Sequence, residues 1–383
     1  MSKVTPSSII KSLDARVESG SFRVLKNVVG LVDFSSNDYL GFARSRLIYE
    51  ETNKTLQSRN LIANGSTGSR LLSGHSSLYE EVEQQVAKFH NAAHALIFNS
   101  GYNANIGLFG SVPQRHDCIL YDEYIHASIR EGVQLSHASS YKFRHNDFDH
   151  LEKRITALCP QFQNIYVVTE SVFSMDGDMP ELKQLLAVCK ADNIFVIVDE
   201  AHATGVIGHK GEGLIQSLNL SQDVFARIHT FGKAIGCHGA AILGNEKLKQ
   251  FLINFSRSFI YTTALPPHAL ATISCSYSHM QHTDQIELLR SRIAYFKSQL
   301  DALSLTDHFI SSNSSIQCCV IPNNEEVKKI SLELLDQKYD VRPILSPTVP
   351  LGLERLRFCL HSYNSETEIK SVLTLLSQLL ASG

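Results

Sequence analysis

Six short runs in this chain consist almost wholly of apolar and β-branched residues: 95–98 (ALIF), 118–121 (CILY), 165–169 (IYVVT), 194–198 (IFVIV), 226–231 (ARIHTF) and 240–243 (AAIL). A strand with one wet face alternates apolar with polar residues, because successive side chains point to opposite sides. Apart from ARIHTF, which carries Arg227 and His229 at alternate positions, these runs do not alternate, so both of their faces must be covered. Segments of helical pattern separate several of them, ELKQLLAVCKAD at 181–192 among them. Strand and helix in turn, with strands apolar on both faces, predict an α/β architecture around a mostly parallel sheet.

Past residue 280 the rhythm changes. A long helical stretch leads to IQCCVI (316–321), a helix at 325–337, YDVRPI and RLRFCLH (355–361), and Ser365 with Glu368 caps a last helix. This reads as a small C-terminal α/β unit over 281–383, behind a large domain over 46–280 and an N-terminal arm over 1–45 with little core of its own. Ser77 and Glu80 have capping-box spacing at the start of a helix whose Leu78, Val82, Val86 and Phe89 share one face.

Composition excludes several function classes. The net charge of −3 gives no electrostatic reason to seek nucleic acid or an anionic membrane. No apolar run approaches the roughly 18 residues that span a bilayer, and the N-terminal stretch lacks the apolar core of a secretory signal. The eight cysteines are scattered without a CxxC pair, which predicts reduced thiols in a cytoplasmic protein and no metal site.

In open α/β sheets, ligands bind beyond the carboxyl ends of the strands. Three strand ends here carry chemistry: Asp199, Glu200 and His202 after 194–198, Glu170, Ser171 and Ser174 after 165–169, and Lys233 after 226–231. A carboxylate there can simply cap the next helix, and most lysines are solvated. Lys233, however, stands between Gly232 and Gly236, where little side-chain bulk surrounds it. That suits a partly desolvated amine of depressed pKa, the kind that forms a Schiff base. An aspartate and such a lysine on neighbouring strand ends have a joint use with pyridoxal phosphate (PLP): the lysine carries the aldehyde and the aspartate keeps the ring nitrogen protonated.

The segments SSNDYLG (35–41), SGHSSLYEEVE (73–83), NSGYNAN (99–105), YIHAS (124–128), TESVFSMDGD (169–178), VDEAHATGVIG (198–208), TFGKAIG (230–236) and PTVP…RLRF (347–358) resemble, in order and over essentially the whole chain, the α-oxoamine synthases. The resemblance implies a fold-type-I PLP-dependent transferase, similar to aspartate aminotransferase, that condenses an amino acid with an acyl thioester and releases CO₂. It implies Lys233 as the aldehyde-bearing lysine and base, Asp199 at the ring nitrogen, His202 at the phenolic oxygen, and His126 stacked on the ring. Backbone N–H groups of Gly101 and Tyr102 would hold the phosphate, with Ser174 and Thr230 as hydroxyls near ring and phosphate.

For the substrates, the resemblance implies Arg357 as the carboxylate grip, although Arg355 lies on the same strand face, and places Asn37 and Thr348 in the substrate site. Arg23 aligns with an arginine near the far end of the acyl chain, across a shorter intervening segment than usual. Thr262 and Thr263 match a segment that reaches the partner subunit's phosphate, which implies a homodimer. TFGK and SSNDYLG favour the branch that joins L-alanine to a pimeloyl thioester, carried by coenzyme A or an acyl carrier protein. Glycine C-acetyltransferase, 5-aminolevulinate synthase and serine palmitoyltransferase share the cofactor residues and stay open as alternatives. A nucleotide-binding oxidoreductase is disfavoured, because the glycine-rich 208–213 lacks GxGxxG spacing.

Overall fold

A computed structural model describes residues 5–25 and 29–382. After a helix at Ser7–Glu18 comes a two-residue strand, β1 (Val32–Asp33), and then seven strands of one sheet: β2 (His94–Phe98), β3 (Cys118–Asp122), β4 (Ser139–Phe143), β5 (Ile165–Glu170), β6 (Ile194–Asp199), β7 (Ala226–Thr230) and β8 (Ala240–Gly244). A second sheet holds β9 (Ile316–Val320), β11 (Arg342–Ile344) and β12 (Arg355–Cys359), while β10 (Tyr339–Asp340) pairs with β1.

The large sheet runs β2-β8-β7-β6-β5-β3-β4. β8 is antiparallel to both of its neighbours and the other pairs are parallel, so six strands end on one edge and β8 starts there. Burial follows the non-alternating pattern. Val196 and Val198 of β6 pack into one apolar cluster and Ile197 into another; Val167 and Val168 of β5 divide in the same way. Both faces are therefore covered, as the sequence requires.

β4 is the strand that the pattern does not reveal. Its sequence, SSYKF, is mostly exposed because it forms the sheet margin, where polar residues and a lysine also discourage further pairing. Ser76, not Ser77, stands at the N-cap of helix Ser77–Phe89 and makes no side-chain cap, so the expected capping box is absent there. At the last helix it forms: Ser365 Oγ accepts from Glu368 N at 3.2 Å and Glu368 Oε2 accepts from Ser365 N at 2.7 Å.

The arm divides into unlike halves. Helix Ser7–Glu18 buries none of its side chains. Phe34, Tyr39, Leu40 and Phe42 are all buried, with Phe34 against Phe358 of β12 at a ring separation of 6.1 Å. Residues 32–42 thus belong to the packing between the small sheet and the large one.

Candidate active site

Strand parity explains the acidic pair that ends β6. Asp199 lies on the same side as Ile197, facing helix Gly101–Phe109, while Glu200 turns to the other side. There Glu200 accepts from Ile215 N at 2.9 Å, and burial raises its carboxyl to about 7. Glu200 is structural. Asp199 Oδ1 accepts from Ala201 N at 2.9 Å, which is the capping role, and Oδ2 accepts from Asn105 Nδ2 at 3.0 Å. Asn105 also donates to Ser128 Oγ at 2.9 Å. This side chain holds the aspartate in one orientation, and it is a residue that motif reading passed over. Its signal was available, since Asn105 stands one helical turn beyond Gly101.

Asp199 lines a cavity of about 160 Å³ together with Gly101, Tyr102, Asn105, His126, Ser128, Glu170, Ala201, His202, Thr230 and Lys233. The residues come from the ends of five strands, brought together because those strands finish on one edge. Glu170 and Asp199 are cross-strand partners in register, so their carboxylates share a side. Lys233 sits in the turn between β7 and β8, where Gly236 N donates to Lys233 O at 2.8 Å. Gly236 has φ +68°, and a Cβ there would come within 2.3 Å of Ala43 N, so glycine is required. Gly232 has room for a side chain, so only one of the two glycines is demanded by the turn.

Burial lowers the Lys233 amine to about 8, against the opposing pull of Asp199 and Glu170. Burial likewise lowers His126; Asp199 opposes this and Lys233 adds to it. Nδ1 of His126 accepts from Ser128 N at 3.2 Å. His202 is held well below the usual imidazole range by burial and by the Lys233, Arg357 and His126 charges. At the far end of the cavity Ser100 Oγ caps helix Gly101–Phe109 by accepting from Asn103 N at 3.1 Å. The N–H groups of Gly101 and Tyr102 have no partner among the described residues, and Thr230 lies beside Gly101, 3.4 Å from where a Cβ would be.

These residues fit pyridoxal phosphate. Two free N–H groups and a hydroxyl at a helix N-terminus suit a phosphate, an oriented carboxylate suits a protonated ring nitrogen, and a buried amine suits an aldehyde.

The two arginines of β12 separate cleanly. Arg355 forms an ion pair with Asp176 and is buried by it. Arg357 donates to Ser174 O at 2.7 Å and to Asn37 Oδ1 at 3.2 Å, and has no carboxylate partner among the described residues. Its free charge stands near Lys233.

A second cavity of about 300 Å³ adjoins the first at His126 and is lined by Ile125, Arg130, Ser174, Met175, Thr348, Val349, Pro350 and Arg355 among others. Asn37 is brought to Arg357, and Ser174 and Thr348 line this outer cavity. Arg23 is exposed and lines neither cavity. Thr262 and Thr263 contact Asn99 of their own chain, two residues before Gly101: Asn99 Nδ2 lies 3.3 Å from Thr262 Oγ1. Outside the lining of both cavities, His145 bridges Asp122 and Asp178 at 2.9 and 2.8 Å. Burial opposes its charge, but the two carboxylates outweigh that and raise it to about 10.

Comparison with known proteins agrees with this geometry. The family model "Aminotransferase class I and II" matches residues 29–376. An 8-amino-7-oxononanoate synthase from Emericella nidulans is 41% identical over 365 residues, covering 89% of this chain and 87% of the relative. Among solved structures, serine palmitoyltransferase from S. paucimobilis with bound PLP–myriocin aldimine superposes with TM-score 0.89 at 25% identity, covering 98% of this chain and 97% of that one. The 8-amino-7-oxononanoate synthase of Francisella tularensis gives TM-score 0.79 at 28% identity, covering 92% and 98%.

Proposed function

Because the chain belongs to the α-oxoamine synthases, PLP-dependent acyltransferases within the class I and II aminotransferase family, we propose that it condenses L-alanine with a pimeloyl thioester to 8-amino-7-oxononanoate, CO₂ and free thiol, in biotin biosynthesis. The observation that carries this reading is the pairing of two sites. An unpaired Arg357 lies near Lys233 beside the polar inner cavity, and a larger cavity lined in part by Ile125, Met175, Val349 and Pro350 opens from it. The first suits an amino acid and the second an acyl chain.

Bound in the inner cavity, PLP supplies an electron sink for negative charge at the substrate α-carbon. The chain's own residues do the rest. Arg357 grips the amino-acid carboxylate with its planar fork, and Asn37 steadies that fork. With its amine near 8, Lys233 is partly neutral at physiological pH and can take the α-proton, then return one to the product carbon. Asp199, fixed by Asn105 and Ala201 N, holds a proton on the ring nitrogen. His126, which lines both cavities at their junction, would lie against the ring and separate it from the acyl thioester's side. Holding both reactants in reach of each other can lower the barrier by about 7–11 kcal/mol in well-oriented systems. Thr262 and Thr263, exposed or half-buried beside Asn99, serve a partner subunit's phosphate in a homodimer.

The test is a matrix of substrates: L-alanine, glycine and L-serine, each with pimeloyl-CoA, a pimeloyl carrier protein, acetyl-CoA and palmitoyl-CoA. Product is expected with L-alanine and a pimeloyl thioester. A preference for L-serine with palmitoyl-CoA, or for glycine with acetyl-CoA, would overturn the substrate assignment and leave the family standing.

A further inference from the structure

His145 lines neither cavity and takes no part in the reactions above, yet it joins two stretches of the outer cavity's wall. Its Nδ1 lies 2.9 Å from Oδ1 of Asp122, at the end of β3, and its Nε2 lies 2.8 Å from Oδ2 of Asp178. Asp122 Oδ1 also accepts from Tyr124 N at 2.8 Å and Oδ2 from Asn146 N at 3.0 Å, the pattern of an ionised carboxylate. Asp178 Oδ2 accepts a second time, from Asn146 Nδ2 at 2.8 Å. Each ring nitrogen of His145 thus faces an acceptor and donates to it, which makes the ring an imidazolium. Asn146 Nδ2 is also 3.2 Å from Nε2, as two donors that converge on one oxygen must be. The ring is stacked on Tyr124 with centroids 4.5 Å apart and is met edge-on by Phe173 at 4.5 Å. Asp176 and Asp178 bring carboxylate oxygens within 4.8 Å of the ring, but with both nitrogens protonated His145 has no lone pair for a metal ion.

The segment 174–178 supplies Ser174, Met175 and Asp176 to the outer cavity. Donors in and beside the small sheet hold it from one side: Arg357 to Ser174 O, Cys318 to Met175 O, Arg355 to Asp176, and Ser312 and Ser314 to Gly177 O. From the large sheet's side, the donors to its side chains among the described residues are His145 and Asn146, both onto Asp178. Tyr124 and Ile125, another stretch of the same lining, follow directly on Asp122.

We propose that His145 is a positioning residue that sets the width of the acyl-chain site: its imidazolium, bonded to Asp122 and Asp178 at once, fixes how far Met175 stands from Tyr124 and Ile125. This rests on the outer cavity being the acyl site. The charged groups around the ring are Asp122, Glu123 (whose Oε1 accepts from His145 N at 3.2 Å), Asp176, Asp178, and Arg355 paired with Asp176.

Two measurements test it. ¹⁵N side-chain spectra of the wild-type protein at pH 8, with His145 assigned by its loss in His145→Gln, should show both nitrogens protonated, where an ordinary imidazole of pKa 6.5 is neutral. One bare nitrogen overturns the proposal. The second measurement compares pimeloyl-CoA with suberoyl-CoA, one methylene longer, each with L-alanine. The wild type should favour the shorter thioester by about tenfold or more in kcat/KM. In His145→Gln and in Asp178→Ala that preference should shrink by roughly three- to tenfold, with the L-alanine KM and the absorption of bound PLP unchanged. A preference as strong as the wild type's in both variants overturns the proposal, and so does a matching rise in the L-alanine KM, which marks general loss of structure. A ratio of two substrates does not depend on the fraction of protein that is folded. If His145→Gln does not fold, Asp178→Ala carries both the assignment, by the shift of Nε2, and the ratio. A wild type that uses neither thioester loses the substrate assignment alone, and the ratio is then taken between the thioester active in the substrate matrix and its next longer homologue; a protein that takes up no PLP loses both.

Discussion

The inner and outer cavities share His126 and differ in almost everything else. The inner one is walled by strand ends where several side chains are already paired, Asp199 to Asn105 and Ala201, His126 to Ser128, and His202 to Tyr39. The outer one is walled by side chains such as Ile125, Met175, Val349 and Pro350, with Arg355 closed off by Asp176. An oriented polar site performs one reaction and tolerates no change; an apolar wall sets size by contact and can vary by a methylene at modest cost. On the proposed reading, the chemistry of a family and the substrate of a member occupy neighbouring but physically different rooms.

The sharpest way to break that contrast is to remove the inner groups. Lys233→Ala should lower turnover by about 10⁴-fold, the upper range for a lost general base, and alter the absorption of bound PLP. Asp199→Asn should cost about 10²–10³-fold in kcat with little change in KM for the thioester, as expected for a lost fixed charge. The two arginines come next. Arg357→Ala should raise the amino-acid KM by roughly 10- to 100-fold, the worth of a charge-assisted pair. Arg355→Ala should instead lower the melting temperature, because it strands a largely buried Asp176. Equal effects on KM from both would sink the distinction drawn between them.

Smaller effects sharpen it. The Lys233 amine is depressed from 10.5 to about 8, so capture of PLP by the apoprotein should rise about tenfold from pH 7 to 9 and level off above the midpoint. Between those two values the unfolded chain binds the extra proton, so apoprotein stability should increase with pH across that window. Val349→Ala in the outer wall should weaken the thioester KM by only roughly four- to fifteenfold, the worth of one or two methylenes, and leave kcat unchanged.

The same contrast decided what could be read from the sequence. β5 and β6 were legible because burial on both faces leaves almost no polar position before the last residues of a strand. Lys233 and Asp199 stood out as candidates because the chemistry proposed for them needs particular residue types at strand ends. Asn105 and Tyr39 act on other side chains rather than on a ligand, so no residue type announces them. β4 was hidden by its place at the sheet margin, where polar residues are favoured. Arg355 and Arg357 share a strand face, and only the position of Asp176, about 180 residues away in the chain, tells them apart.

The antiparallel β8 has a consequence in time. Every other connection in the large sheet must travel across a face before its strand can pair, whereas β7 and β8 are consecutive neighbours joined at one edge. The loop that carries Lys233 therefore closes with little entropy loss, and hairpins of this kind form in roughly 1–10 μs. The Lys233 amine belongs to the part of the sheet with the shortest contact order, while Asp199 and His126 wait for crossovers to arrive. In a refolding experiment, protection of the β7–β8 amides should precede the ability to capture PLP, with the cradle assembled last around a lysine already in place.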